Sequence, residues 1–388
     1  MSFMSNRPLG KALIAAAALF VVLCVPALAK KPRNPHWGRP KRSPATAPAG
    51  STGATEHAGA ASPRRRLPAG RWRPEVRAAI EELVAAHGKT ARSYDDEHPP
   101  AAALPFNDLV LVNDVSLAVF QRMVDRADFK FGQAFWQEVP IAYGRQPLRA
   151  AYNIFIEEPS STWLSQPSYH QYRQGFFRAY RDMCSKLGRL ECRGWLSKLL
   201  IGFNEPELAA YSQTAITEEF QAALGSETVS ASLGDRDPVV VRHGLSWVPE
   251  MRGLIDLLRD SGFDVWLLDA DEQHAFEAAA AQAGFDPSRV QGIRAKIVSG
   301  KISSVILPPV PLRGGKANIL ASQLGRAPLL VIGAGPEDKE LLDFAAPGAL
   351  RLLINGENPE LLRIAAEKGW LVQPPFAATA AAQSRGRP

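Results

Sequence analysis

Polar side chains follow two short apolar segments of this chain that are typical of buried strands. Asn107 and Asp108 come just after the run from Ala101 to Leu104, and Asp269 and Asp271 directly follow the run from Asp264 to Leu268. Open α/β sheets form their sites where strands end in loops at the head of a helix. Carboxylate oxygens at such a point suit a hard cation or an ion pair with a basic side chain.

The segments around these residues predict an α/β sheet. Short apolar strands alternate with amphipathic helices, as in the helix from Pro249 to Arg259 and the strand from Pro328 to Ile332. Such alternation indicates a parallel sheet with helices on both faces. Upstream, Pro74 begins a further amphipathic helix that ends near His87.

The middle of the chain has a different pattern. From Phe129 to Leu233 there is no β alternation, and eleven aromatic residues fall at mostly helical spacings. Such spacing is typical of aromatic packing between helices and predicts a helical region.

Four stretches of the chain form an ordered set: Pro99 to Asp114, Arg242 to Arg252, Gly315-Lys316 and Gly369 to Pro374. Together they resemble the haloacid dehalogenase-like (HAD) superfamily, and in particular its phosphoserine-phosphatase-like branch. The resemblance covers residues 74 to 375. It implies a HAD-like Rossmannoid core at 74–114 and 237–375, with an all-helical cap at 115–236. It also implies phosphoryl transfer through an aspartyl-phosphate, beside a Mg²⁺ ion that neutralises charge.

Five positions depart from the motifs of this family. Pro105 stands where the family has its nucleophilic Asp, and Asn107 where it has the acid/base Asp. Asp269 replaces the hydroxyl residue that binds a phosphoryl oxygen, and Ala334 replaces a Mg²⁺ ligand. A further change puts Leu109 in the place of a Thr. The groups for nucleophilic attack, proton transfer, phosphate orientation and metal binding are therefore all absent. We predict no catalytic residue, no metal site and no cofactor.

The motif positions that remain polar predict a ligand-binding cleft for a small anionic or cationic molecule. An internal ion pair between Asp269 and Lys316 is the favoured interpretation, and convergence of Asp269, Asp271 and Asp338 on a hard cation is the alternative. The predicted ligand-binding residues are Asn107, Asp108, Asp269, Asp271, Lys316 and Asp338.

Two functions follow from this. The first is an exported pseudo-phosphatase that binds a ligand or a partner. The second is a phosphomonoester hydrolase with altered or residual Mg²⁺-dependent activity, using Asp108 or the pair Asp269 and Asp271.

The N-terminal residues predict export, and both ends of the chain lie outside the predicted fold. Residues 1–29 have basic residues, an apolar run and Ala27-Leu-Ala29, which indicates a cleaved signal peptide and a periplasmic or secreted protein. Residues 30–73 are rich in Pro and Ala and carry a net charge of +10, which predicts a flexible linker that could bind an anionic envelope surface. Its two Trp residues are too sparse to indicate a specific nucleic-acid site. Residues 376–388 are predicted to be disordered.

Two cysteines, Cys184 and Cys192, lie beyond the signal peptide. In an oxidising compartment they would form either a disulfide around Gly188 or two buried thiols. The sequence leaves both possibilities open.

Overall fold

The computed structural model of the protein describes residues 66–376. The predicted signal peptide, the linker up to residue 65 and the tail from residue 377 lie outside the described residues. Within them, no helix combines the length and the apolar character that a membrane span needs.

A seven-stranded sheet forms the centre of the fold, in the order β11-β10-β9-β1-β6-β7-β8. All neighbours are parallel except β7 and β8, which form an antiparallel hairpin. Two short antiparallel pairs, β2 with β5 and β3 with β4, lie outside it. The strands are β1 (Ala101–Leu104), β2 (Leu111–Val112), β3 (Gly225–Val229), β4 (Val239–His243), β5 (Ser246–Trp247), β6 (Asp264–Glu272), β7 (Val290–Val298), β8 (Lys301–Leu307), β9 (Leu330–Gly333), β10 (Leu350–Ile354) and β11 (Leu371–Gln373).

Helices cover both faces of this sheet. The helices are α1 (Pro74–His87), α2 (Val115–Arg126), α3 (Gln133–Glu138), α4 (Arg145–Phe155), α5 (Pro167–Leu187), α6 (Arg189–Lys198), α7 (Glu205–Gln221), α8 (Pro249–Asp260), α9 (Gln273–Gln282), α10 (Gly314–Gln323), α11 (Lys339–Asp343) and α12 (Pro359–Lys368). Ala102 and Leu104 of β1 pack into a core shared with α1, α2, α8 and α9. Ala103 faces a second core shared with α10, α11 and α12. The predicted parallel α/β sheet with helices on both faces is confirmed.

Strand β1 lies at the point where the chain changes direction across the sheet. Its four residues are all buried, because parallel neighbours flank it and helices cover both faces. Strand β6 is the next strand of this sheet along the chain, and it pairs with β1 on one side. Strand β9 pairs with β1 on the other side. A crevice therefore opens at the carboxyl ends of β1, β6 and β9, where open α/β sheets bind their ligands.

The region between β2 and β3 is helical and holds the aromatic residues noted in the sequence. Phe176 of α5 has ring contacts with Phe129, Tyr172 and Trp195, as aromatic packing between helices requires. One expectation here is wrong: residues 225–229 form β3, paired with β4. This strand shows no apolar pattern in the sequence, because three of its five residues are polar and exposed. The boundaries of a cap at 115–236 stay a prediction.

The ordered domain begins before residue 74, so the predicted linker boundary is too far along the chain. Leu67 and Trp72 are buried, and the Trp72 ring meets Phe376 edge to face at 4.9 Å between centroids. Arg71 forms an ion pair with Glu250 at 2.7 Å. Composition alone missed these isolated apolar side chains. Phe376 is also buried, so the prediction of disorder is wrong at this residue.

Cys184 and Cys192 are joined in a disulfide. The bond connects the last turn of α5 to the first turn of α6 across Gly188. Of the two possibilities that the sequence left open, the structure has the disulfide.

Candidate functional site

The carboxyl ends of β1, β6 and β9 bring most of the predicted ligand-binding residues together. Asn107, Asp269, Asp271, Lys316 and Asp338 are all buried there, and Lys316 is only 1% exposed. Gly315 allows α10 to begin close to the loop before it, because a Cβ at this position would collide with the carbonyl oxygen of Val310. The first turn of this helix thereby carries Lys316 into the crevice.

Asp269 fills an anion site made by the backbone after β1. Its Oδ2 atom accepts hydrogen bonds from the N–H groups of Phe106 at 3.1 Å and Asn107 at 3.0 Å. Burial alone would raise the pKa of Asp269, but Lys316, Arg189 and Arg193 outweigh burial and lower it. The carboxylate is therefore ionised at neutral pH and holds the two amides.

Asp338 repeats this arrangement after β9. Its Oδ2 atom accepts from the N–H groups of Ala334 and Gly335 at 2.9 and 3.0 Å, and its Oδ1 atom accepts from Lys316 Nζ at 2.6 Å. The predicted pairing of Lys316 with Asp269 is thus corrected, because the hydrogen-bonded partner is Asp338. Burial lowers the pKa of Lys316, but the charges of Asp338 and Asp269 outweigh burial and raise it.

Asp271 lies deeper and accepts from three side chains. Asn107 Nδ2 donates at 2.6 Å, Ser116 Oγ at 2.7 Å and Arg193 Nη1 at 3.4 Å. Burial and the charges of Asp114 and Asp269 raise the pKa of Asp271 to about 8. At neutral pH this carboxyl holds its proton, because three neighbouring buried carboxylates cannot all ionise at low cost.

Arg193 was missed by the sequence analysis. It lies on α6, is 7% exposed and donates to Asp114 Oδ2 as well as to Asp271. Arg189, one turn earlier on the same helix, pairs with Glu337. The spacing of four residues between two arginines on a predicted helix was the available signal, but nothing in the sequence said which way that face points.

Asp108 lies apart from this network. It has a positive φ of 54°, and its side chain is about a third exposed. The Oδ1 atom is buried without a hydrogen-bond partner, 3.7 Å from Arg242 Nη1. Burial raises the pKa of Asp108, and the charge of Arg242 opposes this effect. Pro105 and Leu109, which also depart from the HAD motifs, bring no polar side chain to the site. Leu109 is buried in the core, and Pro105 has no backbone N–H group.

The carboxylates do not converge on a common point as the cation alternative required. Between residues 66 and 376, no group of three His, Cys, Asp or Glu side chains has the arrangement of a metal site. Asp269 and Asp338 both accept hydrogen bonds from backbone amides, and the charge of Lys316 acts on both. The geometry is that of a cluster held by internal ion pairs and by hydrogen bonds to the backbone.

The crevice, the sheet order and the helices on both faces define a Rossmann-like α/β protein. A structure from Anaerococcus prevotii, described as a conserved functionally unknown protein, is similar: 20% identity over 80% of this chain and 93% of that one, with a TM-score of 0.67. The likeness concerns the fold alone, an α/β sheet with helices on both faces.

Two further solved structures match more weakly. A protein of unknown function from Bordetella pertussis is 13% identical over 71% of this chain and 98% of that one, with a TM-score of 0.43. A probable phosphoserine phosphatase from Vibrio cholerae is 15% identical over 76% of this chain and 68% of that one, with a TM-score of 0.35. No protein-family model and no curated protein matches the sequence.

Proposed function

We propose that this protein is an exported HAD-like pseudo-phosphatase that binds a ligand or partner and does not transfer phosphoryl groups. The observation that carries the proposal is the contact of Asp269 with the amides of Phe106 and Asn107. Consecutive amides at a strand end are suited to bind an anion. Here the protein's own carboxylate takes that place.

Electrostatics supports the same conclusion. The buried cluster holds four carboxyl groups, Asp114, Asp269, Asp271 and Asp338, against the cations Lys316 and Arg193. A phosphate dianion entering it would meet ionised Asp269 and would lose the amides that Asp269 occupies. In addition, Pro105 offers no attacking oxygen at the end of β1.

The disulfide between Cys184 and Cys192 supports export, because such bonds persist in oxidising compartments. Mass spectrometry of the protein recovered from the cell envelope or medium should give an N-terminus at Lys30, after Ala29. Recovery of the reduced, uncleaved chain from the cytosol would contradict export.

A hydrolysis assay tests the loss of chemistry. We expect the mature protein, incubated with Mg²⁺ and p-nitrophenyl phosphate, to release no more phosphate than an equal amount of its heat-denatured sample. Calorimetry with inorganic phosphate should show no binding. An Asp269→Ser variant frees the two amides and should therefore gain phosphate binding. Steady hydrolysis of the ester by the wild-type protein would overturn the proposal.

A phosphomonoester hydrolase with altered chemistry is the second candidate, and the unpartnered Oδ1 atom of Asp108 favours it. In this case Asp108 would attack the phosphorus. The Asp108→Asn variant would then lose a measurable wild-type activity. Borohydride reduction of the wild-type protein during turnover would release phosphate and convert residue 108 to homoserine, which peptide mass spectrometry detects. Neither result is expected if the protein is a pseudo-phosphatase.

The basic segment at residues 30–73 gives a further expectation, that it binds anionic envelope polymer or phospholipid. Cosedimentation with vesicles containing phosphatidylglycerol should fall with added salt and disappear when residues 30–65 are deleted. Unchanged cosedimentation of the deletion variant would exclude this role.

A further inference from the structure

A second cavity lies beside the buried cluster. It has a volume of about 360 Å³ and lies between the end of α6, the starts of α7 and α9, and the β7–β8 hairpin. Backbone hydrogen bonds hold the hairpin in place, since Gly202 N–H donates to Ile302 O at 2.9 Å and Ile302 N–H donates to Phe203 O at 2.8 Å. Cavities of this size accept small organic molecules.

Ser197 is the polar group in this cavity that lacks a partner. The residue is 1% exposed, and its Oγ atom has no hydrogen-bond partner in the structure. A buried hydroxyl without a partner costs free energy, which a ligand that hydrogen-bonds to it would recover. The wall at α6 therefore includes a residue whose hydroxyl has no hydrogen-bond partner.

The charge of the lining is negative. Glu205, Glu272 and Glu277 line the cavity, against Arg294 and His274. Glu272 contacts His274 Nδ1 at 2.8 Å, and Arg294 Nη2 donates to Gln291 at 3.0 Å. With His274 neutral or protonated, the carboxylates outnumber the cations, so the cavity favours a positively charged guest.

Apolar side chains form the opposite wall. Ile297, Ile302 and Leu307 of the hairpin line the cavity together with Leu200 after α6. Ile297 and Leu307 are 36% and 41% exposed, so part of this apolar surface is open to a ligand. Covering it would add a hydrophobic contribution to binding.

We propose that this cavity binds a small organic monocation, an ammonium group on an apolar stem, with Ser197 as a hydrogen-bond partner. The site is separate from the strand-end cluster and does not depend on the loss of phosphatase chemistry. Its specificity comes from charge at the helix ends and from the apolar hairpin wall.

A series of three six-carbon probes tests the charge preference on the full mature protein. Hexylammonium, 1-hexanol and hexanoate share one stem and differ in charge. By saturation-transfer NMR and calorimetry we expect hexylammonium to bind at least about tenfold more tightly than hexanol, and hexanoate not to bind. Equal binding of all three probes, or no binding of hexylammonium at about 10 mM, would overturn the proposal.

Variants locate the site. Glu205→Gln and Glu277→Gln should each weaken hexylammonium binding about three- to tenfold. Glu207→Gln is the matched control, since Glu207 is on the same helix as Glu205, pairs with Lys130 and does not line the cavity. Ser197→Ala should also weaken binding, and Ile297→Trp should abolish it by filling the space. Wild-type affinity in folded Glu205→Gln, Glu277→Gln and Ser197→Ala proteins would contradict the assignment.

Discussion

Two regions of this protein meet along one helix and use their polar groups in opposite ways. One face of α6 directs Arg193 into the strand-end cluster, where it forms ion pairs with Asp114 and Asp271. One turn later Ser197 lines the second cavity with an unpartnered hydroxyl. In the cluster the carboxylates and cations have internal partners, so removing one member leaves another buried without its partner. The cavity wall holds a hydroxyl group that has no hydrogen-bond partner.

The first prediction removes the cation of the cluster. Lys316→Met keeps an unbranched side chain only one atom shorter but leaves Asp338 and Asp269 buried without their main counter-charge. We expect a loss of about 3–5 kcal/mol in the free energy of unfolding, measured by urea denaturation. Lys339→Met is the control, because its pair with Asp343 is exposed to solvent and should be worth less than about 1 kcal/mol. Equal losses would show that the cluster is not the stabilising region.

The second prediction uses the protonated carboxyl of Asp271. Its pKa is raised to about 8, so the folded protein keeps a proton that the unfolded chain releases above about pH 4. The folded state binds more protons between these limits, and stability should therefore fall by a few kcal/mol as pH rises from about 4 to 8. An Asp271→Asn variant lacks this titration, so its urea-denaturation midpoint should fall less steeply with pH. Parallel pH profiles would contradict the protonated state.

The third prediction concerns the bond that anchors the shared helix. The disulfide closes a loop with a sequence separation of 8, and removing it should cost about 2–3 kcal/mol by the loop-entropy argument. We expect a Cys184→Ala/Cys192→Ala variant to melt at a lower temperature than the oxidised wild type. Dithiothreitol should lower the melting temperature of the wild type and leave that of the variant unchanged. A response in both proteins would point to another cause.

The fourth and smallest effect compares two buried serines. Ser116 Oγ donates to Asp271 at 2.7 Å and accepts from Glu272 N–H at 2.8 Å, whereas Ser197 Oγ has no partner. Ser116→Ala should cost about 1–3 kcal/mol because it leaves the Glu272 N–H without its acceptor and Asp271 with one donor fewer. Ser197→Ala should not lower stability and should raise it by up to about 1 kcal/mol, because it removes a buried hydroxyl that lacks a partner. Equal costs in urea denaturation would remove the distinction between the two regions.

The sequence predicted the strands that form the crevice and five of the residues that meet in it. Apolar runs bounded by polar residues are enough to predict β1, β6 and β9. It did not predict the partner of Lys316, because the choice between Asp269 and Asp338 depends on which backbone amides each carboxylate reaches. Arg193 was missed for a similar reason: its four-residue spacing from Arg189 could place both on one helix face, but the direction of that face is fixed by how α6 packs.

The edge-to-face contact of Trp72 with Phe376 has a consequence for chain connectivity. The two ring centroids are 4.9 Å apart, so the first and last described segments of the domain lie side by side. A short peptide could therefore join them, and new termini could be opened in the exposed turn at Gly234, next to the fully exposed Leu233. Such a circular permutant should fold with its sheet order intact, since proximal ends make reconnection tolerable.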